Sequence, residues 1–150
     1  MNKYEYDKKH NMIKLDRVLF SPFHYPGDYG LVPQTLSDDG DPLDVLVLVT
    51  NPTYPGILIE ARPIGLLQMK DEGKLDDKII CVATNDPRYL HTSDITDMED
   101  HYRSEIAHFF QVYKDLEGKK VEIIGWKSSK EAKDVIIKSI KRYKDTLKKY

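Results

Sequence analysis

Asp39-Gly40-Asp41-Pro42-Leu43-Asp44, followed at once by Val45-Leu46-Val47-Leu48-Val49, is the stretch on which the prediction of fold and function depends. Its three carboxylates lie immediately before an apolar run that is typical of a buried strand. Carboxylates so close repel one another, and holding them beside an apolar core costs free energy unless a cation neutralises them or their pKa values rise. Oxygen ligands suit a hard divalent ion such as Mg²⁺, which keeps waters that substrate phosphates can replace. The stretch therefore favours a metal site and metal-assisted phosphoryl chemistry.

Two other interpretations compete for this stretch. Gly and Pro among Asp residues are also typical of a solvated turn. An EF-hand calcium loop counted from Asp39 would need Gly where Asp44 stands and a bidentate Glu where Thr50 stands, so that interpretation fails. A second acidic cluster, Asp71 through Lys78, comes just before another apolar run at 79–83 and repeats the pattern. The repetition makes the turn interpretation less attractive than a metal site.

Length and composition limit the kind of protein this can be. At 150 residues the chain can bury a sizeable core, and we predict a single domain over residues 1–150. Its one cysteine, Cys81, lies in an apolar run and is predicted to be a small buried side chain. The N-terminus is polar and no run of about 18 apolar residues occurs, so we expect a soluble, cytoplasmic protein without a membrane partner. With 23 Lys plus Arg against 25 Asp plus Glu, charge gives no case for nucleic acid as the main partner.

The first two thirds of the chain have the pattern of short strands and the remainder that of helices. Strands are predicted near residues 3–7, 12–16, 44–49, 57–68 and 78–83. From about residue 97 the apolar spacing becomes helical and continues to Leu116. After an apolar strand at Val121 to Trp126, Ser128 and Glu131 form a capping box that predicts a second helix. The pattern indicates an α+β domain in which two helices pack outside a β-barrel.

Candidate site residues gather near the predicted strand ends. If those ends meet at one rim, five carboxylates converge and can hold more than one divalent ion: Asp39, Asp41, Asp44, Asp71 and Asp76. Donors for phosphate groups lie nearby, namely Lys3, Arg17, Lys78, Lys114, Tyr25, Tyr29 and Tyr113. Each donor alone is a weak signal, because a single Lys or Arg is usually solvated and a Tyr at helical spacing is usually core. Walker, Gly-x-Gly-x-x-Gly, Gly-x-Ser-x-Gly, His-Glu-x-x-His and Cys-x-x-Cys motifs are all absent from the sequence.

At this point the segment Asp39 through Val45 closely resembles the signature of the family I soluble inorganic pyrophosphatases. The similarity continues in order along nearly the whole chain. It includes Lys3-Tyr4-Glu5, Asp16-Arg17, Tyr25-Pro26 with Asp28-Tyr29-Gly30, Asp71 through Lys78, and Ile106 through Phe110 with Tyr113-Lys114-Asp115-Leu116. The resemblance implies a five-stranded, OB-like closed β-barrel with two flanking C-terminal α-helices.

The resemblance also implies an activity and a set of roles. The activity would be hydrolysis of pyrophosphate to two phosphates by in-line attack of a metal-activated water, with several Mg²⁺ ions per site and Mn²⁺ or Zn²⁺ as substitutes. The metal ligands would be Asp39, Asp44, Asp71 and Asp76, with Asp44 shared between two ions. Asp41 would be the general base. Substrate would be bound by Lys3, Arg17, Tyr29, Lys78, Tyr113 and Lys114, with Glu5, Asp16 and Tyr25 in supporting positions.

Two features leave alternatives open. Relatives ordinarily carry a further N-terminal segment before the Lys-x-Glu of the barrel, whereas this sequence begins almost on it. Sequence does not say whether Met1 is the native start; if the segment is absent, we expect an open edge beside Lys3. Oligomeric state in the family varies, and a homo-oligomer would be expected to form through Ile106 to Tyr113, with His108 and Phe109 exposed on a monomer.

Two other functions compete with hydrolysis of pyrophosphate. A non-catalytic OB-like module would bind nucleic acid or a protein partner, but a reader of single strands needs a basic groove with exposed aromatics, and acidic clusters occupy those turns. The other is a less specific metal-dependent phosphatase that uses the same site.

Overall fold

The computed structural model describes residues 2–148, in which strands come first and helices later. The strands end at turns rich in Gly, Pro, Asn and Asp, as the sequence predicts. The elements, in chain order, are β1 Asn2–Asp7, β2 Met12–Val18, β3 Asp28–Leu31, β4 Asp44–Leu48, β5 Ala61–Asp71, β6 Lys74–Leu75, β7 Lys78–Ala83, α1 Asp100–Val112, β8 Val121–Ser128 and α2 Ser129–Leu147.

The larger sheet brings the two acidic segments to one edge. Its strand order is β3-β4-β7-β5-β6, with β8 on the other side of β5. Strands β4 and β7 are parallel, with Val45 opposite Ile79. Because parallel neighbours begin at the same edge of a sheet, Asp44 and Lys78, the first residues of these strands, lie side by side. The register of these strands therefore sets the geometry of the candidate site.

The α+β class is confirmed, whereas the closed five-stranded barrel is wrong for the residues that the structure describes. Strands β1 and β2 form an antiparallel hairpin whose ladder joins no strand of the six-stranded sheet within residues 2–148. Across the same described residues, β3 pairs with β4 alone, so its other edge is open. A barrel needs a continuous ring of paired strands, and here the ring is interrupted on both sides of the hairpin.

Individual elements differ from the sequence prediction in bounds and number. The short strand β3 lies in a Gly-containing segment that had the composition of a turn, and it was missed. The long central strand β5 begins at Ala61, four residues after the predicted start at 57. The first long helix covers Asp100–Val112, inside the predicted range. The capping box of Ser128 and Glu131 at the start of α2 is confirmed by reciprocal hydrogen bonds.

The sheet is covered by a helix on each face. On one face Ile106, Phe109 and Phe110 of α1 join the larger core, and on the other Ala132 of α2 joins a core that contains the buried Cys81. Phe109 is 5% exposed, so its predicted exposure is wrong, because it faces the sheet side of α1 whereas His108 faces outward. Of the helices described, none is long and apolar enough to span a membrane.

Candidate active site

Lys78 lies at the centre of the candidate site. Its Nζ lies 2.5 Å from Asp44 Oδ2 and 2.6 Å from Asp76 Oδ1, and it donates a 3.1 Å hydrogen bond to the hydroxyl of Tyr29. The Lys78 side chain is 2% exposed. Burial by itself would lower the pKa of Lys78, but the charges and hydrogen bonds of Asp44 and Asp76 outweigh it and raise the pKa. Lys78 is therefore a fixed buried cation, in contrast to the solvated side chain that is the usual fate of a lysine.

A second ion pair lies next to this cluster. Asp71, the last residue of β5, pairs through Oδ2 with the Nζ of Lys114, which follows α1. The other oxygen of the carboxylate, Asp71 Oδ1, is buried and has no hydrogen-bond partner among the described residues. A buried acceptor without a partner costs free energy, so this oxygen has the capacity to ligate a cation.

The carboxylates of the site act on one another. Burial is the largest influence on Asp76 and raises its pKa. The ion pair with Lys78 works against that rise, and the negative charges of Asp44 and Asp71 add to it. The net result is a raised pKa, mainly because of burial. By count, the three carboxylates of Asp44, Asp71 and Asp76 face two cations, Lys78 and Lys114.

The other two carboxylates of the acidic motif, the predicted ligand Asp39 and the predicted general base Asp41, are exposed. The side chain of Asp41 is 74% exposed, and its nearest cation is Lys8 Nζ at 3.4 Å. Asp39 Oδ1 accepts a 3.0 Å hydrogen bond from the backbone N–H of Asp41, which fixes the two residues relative to each other. Asp41 is thus more accessible to water than Asp44, whose side chain is 35% exposed.

Three tyrosines lie beside this charge cluster, and two of them, Tyr25 and Tyr29, line an open cleft. The rings of Tyr25 and Tyr29 stack with centroids 5.0 Å apart, and Tyr113 stacks on Phe109 at 5.2 Å. Burial raises the pKa of all three phenols well above the usual range, so each stays protonated and can donate a hydrogen bond. The hydroxyl of Tyr25 is buried and unpartnered in the part of the chain that the structure describes. Gly27 lets this segment lie against β4, since a Cβ there would stand 2.7 Å from the carbonyl oxygen of Val47.

The hairpin supplies a separate set of charges. Lys3 and Arg17 are cross-strand neighbours of β1 and β2. Lys3 Nζ pairs with Glu5 and lies 3.1 Å from Asp16 Oδ2, and Arg17 Nη1 lies 2.9 Å from the same oxygen. Burial opposes ionisation of Asp16, but Lys3 and then Arg17 outweigh it and lower its pKa. Asp16 therefore stays ionised and holds both cations.

Glu117 was not predicted from the sequence. Its Oε1 accepts a 3.1 Å hydrogen bond from Arg17 Nε, across 100 positions of chain. Sequence spacing cannot predict such a contact, because the contact depends on how the segment after α1 packs against the hairpin.

One open cleft of about 1640 Å³ joins most of these groups. The predicted residues that line it are Lys3, Glu5, Tyr25, Tyr29, Asp39, Asp41, Asp44, Asp71 and Asp76. The remaining predicted residues do not line it. Asp16, Lys78 and Lys114 each form an ion pair with a lining residue, and Arg17 forms one with Asp16. Tyr113 is buried beside them in the aromatic cluster.

The donor set fits a hard divalent cation. Within residues 2–148 no group of three or more His, Cys, Asp or Glu side chains already has a geometry that would hold a metal ion, because lysines occupy the space between the carboxylates. Nevertheless the donors are all oxygens, and Asp71 Oδ1 is buried without a hydrogen-bond partner among the described residues, so it is able to ligate.

Comparison with known proteins identifies close relatives. The sequence model of the Inorganic pyrophosphatase family matches residues 1–144. The chain is 52% identical over 143 residues to the inorganic pyrophosphatase of Halalkalibacterium halodurans, covering 95% of this chain and 88% of that protein. It is 51% identical to that of Synechocystis, covering 95% and 85%. The crystal structure of inorganic pyrophosphatase from Thermus thermophilus superposes with a TM-score of 0.92 at 49% identity, covering 95% of this chain and 84% of that one.

Proposed function

The chain belongs to the inorganic pyrophosphatase family, and from this premise we propose how its residues divide the work of the reaction. It is a hydrolase that converts inorganic pyrophosphate to two phosphates, and it depends on a divalent metal ion. The observation that carries the assignment of residues is the cluster of Asp44, Asp76 and Lys78 at the edge of a cleft that all five predicted aspartates line. A non-catalytic nucleic-acid or protein-binding module is not favoured.

The proposed metal is Mg²⁺, several ions per site, with Mn²⁺ or Zn²⁺ able to substitute. The residues that would hold it are Asp39, Asp44, Asp71 and Asp76. Their all-oxygen chemistry and the free oxygen of Asp71 support this choice. When bound, such ions neutralise phosphoryl oxygens and lower the pKa of water so that hydroxide is available near neutral pH.

Asp41 is proposed as the general base. It is well exposed to water, and its ion pair with Lys8, at 3.4 Å, is long and solvated. Its carboxylate therefore lies open to water, where it can accept a proton from the attacking water. The water oxygen forms a bond to one phosphorus, the bond from that phosphorus to the bridging oxygen breaks, and the bridging oxygen leaves with the second phosphate. No covalent phosphoenzyme forms.

The cations and phenols are proposed to hold the two phosphoryl groups. Lys78 and Lys114 now face carboxylates, and each can exchange that contact for a phosphoryl oxygen without moving far from its strand or helix. Lys3 and Arg17 present positive charge from the hairpin side. Tyr29 and Tyr113 stay protonated and donate hydrogen bonds to the same oxygens. Glu5, Asp16 and Tyr25 support these groups from behind.

The assay that tests the assignment measures phosphate release from pyrophosphate with Mg²⁺, beside EDTA, ATP and p-nitrophenyl phosphate. We expect cleavage of pyrophosphate alone, lost in EDTA and in the Asp41→Asn and Asp44→Asn variants. The matched control is Asp38→Asn, since Asp38 is an exposed neighbour whose carboxylate pairs with Arg142 at 2.6 Å. Folding of each variant is checked by circular dichroism. Full activity in folded Asp41→Asn would rule out that residue as the base.

We further propose that the chain acts as a single domain, is cytoplasmic, and forms a homo-oligomer through the outward side of α1, where His108 lies exposed. Sedimentation velocity of the wild type and of His108→Glu tests the oligomer. A wild type that sediments as a monomer would refute it.

A further inference from the structure

Arg17 is held by two carboxylates that come from different parts of the chain. Its Nη1 lies 2.9 Å from Asp16 Oδ2, the neighbouring residue in the hairpin. Its Nε lies 3.1 Å from Glu117 Oε1, at the end of a short 3-10 helix, Asp115–Glu117, that closely follows α1. The Glu117 side chain is 9% exposed, so it is nearly as enclosed as the core. A glutamate this buried needs a partner, and Arg17 is the cation that it contacts.

Two carboxylates fix both the position and the plane of the guanidinium. The group has five N–H donors in a rigid planar fork. Asp16 and Glu117 use donors on Nη1 and Nε and leave the Nη2 hydrogens for another acceptor. An arginine held in this way is already oriented, so it loses less freedom when it binds a phosphoryl group than an arginine that moves freely.

The contact also joins the hairpin to the rest of the molecule. Within residues 2–148 the β1–β2 hairpin shares no backbone ladder with the six-stranded sheet that carries Asp44 and Lys78. Its distance from those residues therefore depends on side-chain contacts and packing. The Lys8 to Asp41 pair is exposed and weak, whereas the contact between Arg17 and Glu117 is largely enclosed. Because Lys3 and Arg17 are cross-strand neighbours, the same contact sets the position of Lys3.

We infer that Glu117 is a positioning residue, which orients the Arg17 guanidinium toward the substrate and fixes the hairpin against the body of the site. The inference rests on the proposed role of Arg17 in binding a phosphoryl group. Glu117 itself does not touch the substrate in this scheme. It acts through Arg17, and that distinguishes it from a residue that only stabilises the fold.

A double-mutant cycle tests this dependence. Glu117→Gln keeps the shape of the side chain and removes its charge, and we expect kcat/KM for pyrophosphate to fall by roughly tenfold, since misplacing a binding group by a fraction of an ångström is costly. In an Arg17→Ala background the same change should lower kcat/KM by less than about twofold, because the group that Glu117 positions is gone. Glu122→Gln is the matched control, since that carboxylate is 70% exposed in a 4.0 Å surface pair with Lys70. It should leave kcat/KM unchanged.

The possible outcomes separate the inference from the proposed function. An equal fall in both backgrounds would mean that Glu117 acts independently of Arg17 and would overturn the inference. So would unchanged activity of Glu117→Gln when Arg17→Ala is itself impaired. Full activity of Arg17→Ala would instead refute the role of Arg17 in binding phosphate, and the inference would fall with it.

A second variant covers the case in which Glu117→Gln does not fold. Glu117→Asp keeps the charge on a side chain one carbon shorter, and it should lower kcat/KM by roughly threefold, less than the loss of the charge does. The same double-mutant cycle with Arg17→Ala then measures the coupling between residues 117 and 17 in kcat/KM. Thermal unfolding of each protein is recorded beside the kinetics. If Glu117→Asp loses as much in the Arg17→Ala background as in the wild type, the inference is wrong.

Discussion

Replacing Lys78 by methionine removes the positive charge that Asp44 and Asp76 share, while it keeps a side chain of similar length. The two carboxylates, now at 2.5 and 2.6 Å from the Lys78 nitrogen, would face each other and the buried end of β7 without a cation. Removing one partner from a buried ion pair costs about 3–5 kcal/mol. The Asp44 and Asp76 side chains are 35% and 21% exposed. Water therefore solvates the unpaired carboxylates in part, and we expect a loss of about 2–3 kcal/mol in the free energy of unfolding.

The assay is urea unfolding near neutral pH in EDTA, with thermal unfolding as a second measure. For a chain of 150 residues, each kcal/mol shifts the midpoint by about 2–4 °C, so Lys78→Met should lower it by about 4–12 °C. Lys70→Met is the matched control, because Lys70 forms a 4.0 Å surface pair with Glu122 that is worth about 0–1 kcal/mol.

Two changes of solution conditions should reduce the loss of stability that Lys78→Met causes. Added Mg²⁺ supplies the missing positive charge and binds the folded state more tightly than the unfolded one. Lowering the pH also helps, because burial and like charges raise the pKa of Asp76 in the folded state, and without Lys78 that rise is larger. A carboxyl whose folded pKa exceeds its unfolded pKa binds more protons when folded, so stability increases as the pH falls through that interval. If Lys78→Met in EDTA loses no more stability than Lys70→Met, the buried charge cluster does not exist as described.

Three further predictions concern other parts of the molecule. Tyr29→Phe should lower kcat/KM by about tenfold, because it removes a donor and the hydroxyl that Lys78 contacts. It should also cost about 1–2 kcal/mol in urea unfolding, since a buried hydrogen bond is lost while the ring still stacks on Tyr25; unchanged kinetics would contradict this prediction. Ser128→Ala removes the cap of α2 and should cost about 1 kcal/mol in urea unfolding with no change in kcat; a loss of activity at equal stability would contradict it. Burial raises the pKa of the Cys81 thiol to about 12, so iodoacetamide should alkylate it in urea but not in the folded protein near neutral pH; rapid alkylation of the folded protein would show that the site opens.

The sequence predicted those parts of the fold that depend on local pattern. Apolar runs gave the strands that hold Asp44 and Lys78, and Ser128 with Glu131 gave the start of α2. Barrel closure depends on which strand edges pair, and no local pattern contains that information. The open edge of β3 within residues 2–148 therefore became known only from the structure.

In the candidate site too, the residues that a local pattern marks were predicted and the long-range contacts were not. The aspartates were predicted because their density beside apolar runs is unusual, and they line one cleft. Phe109 was predicted to be exposed on a monomer, whereas Phe109 and Phe110 are both buried, because the inward face of α1 is wide enough to include two consecutive residues 100° apart. Glu117 was missed because its partner lies 100 residues away.

The arrangement of charge explains why a metal and a phosphate suit this cleft together. Lys78 and Lys114 neutralise Asp44, Asp76 and Asp71, three of the five aspartates that line the cleft beside a folded core. A divalent cation that bound these aspartates would take over that neutralisation. The lysines would then be left with positive charge and no acceptor, beside protonated phenols that can donate. A pyrophosphate anion supplies the missing acceptors, so binding of the cation and binding of the substrate should each strengthen the other. Titration calorimetry with Mg²⁺, with and without the non-hydrolysable analogue methylenediphosphonate, tests this coupling, and Mg²⁺ affinity that is no higher with the analogue than without it would refute the argument.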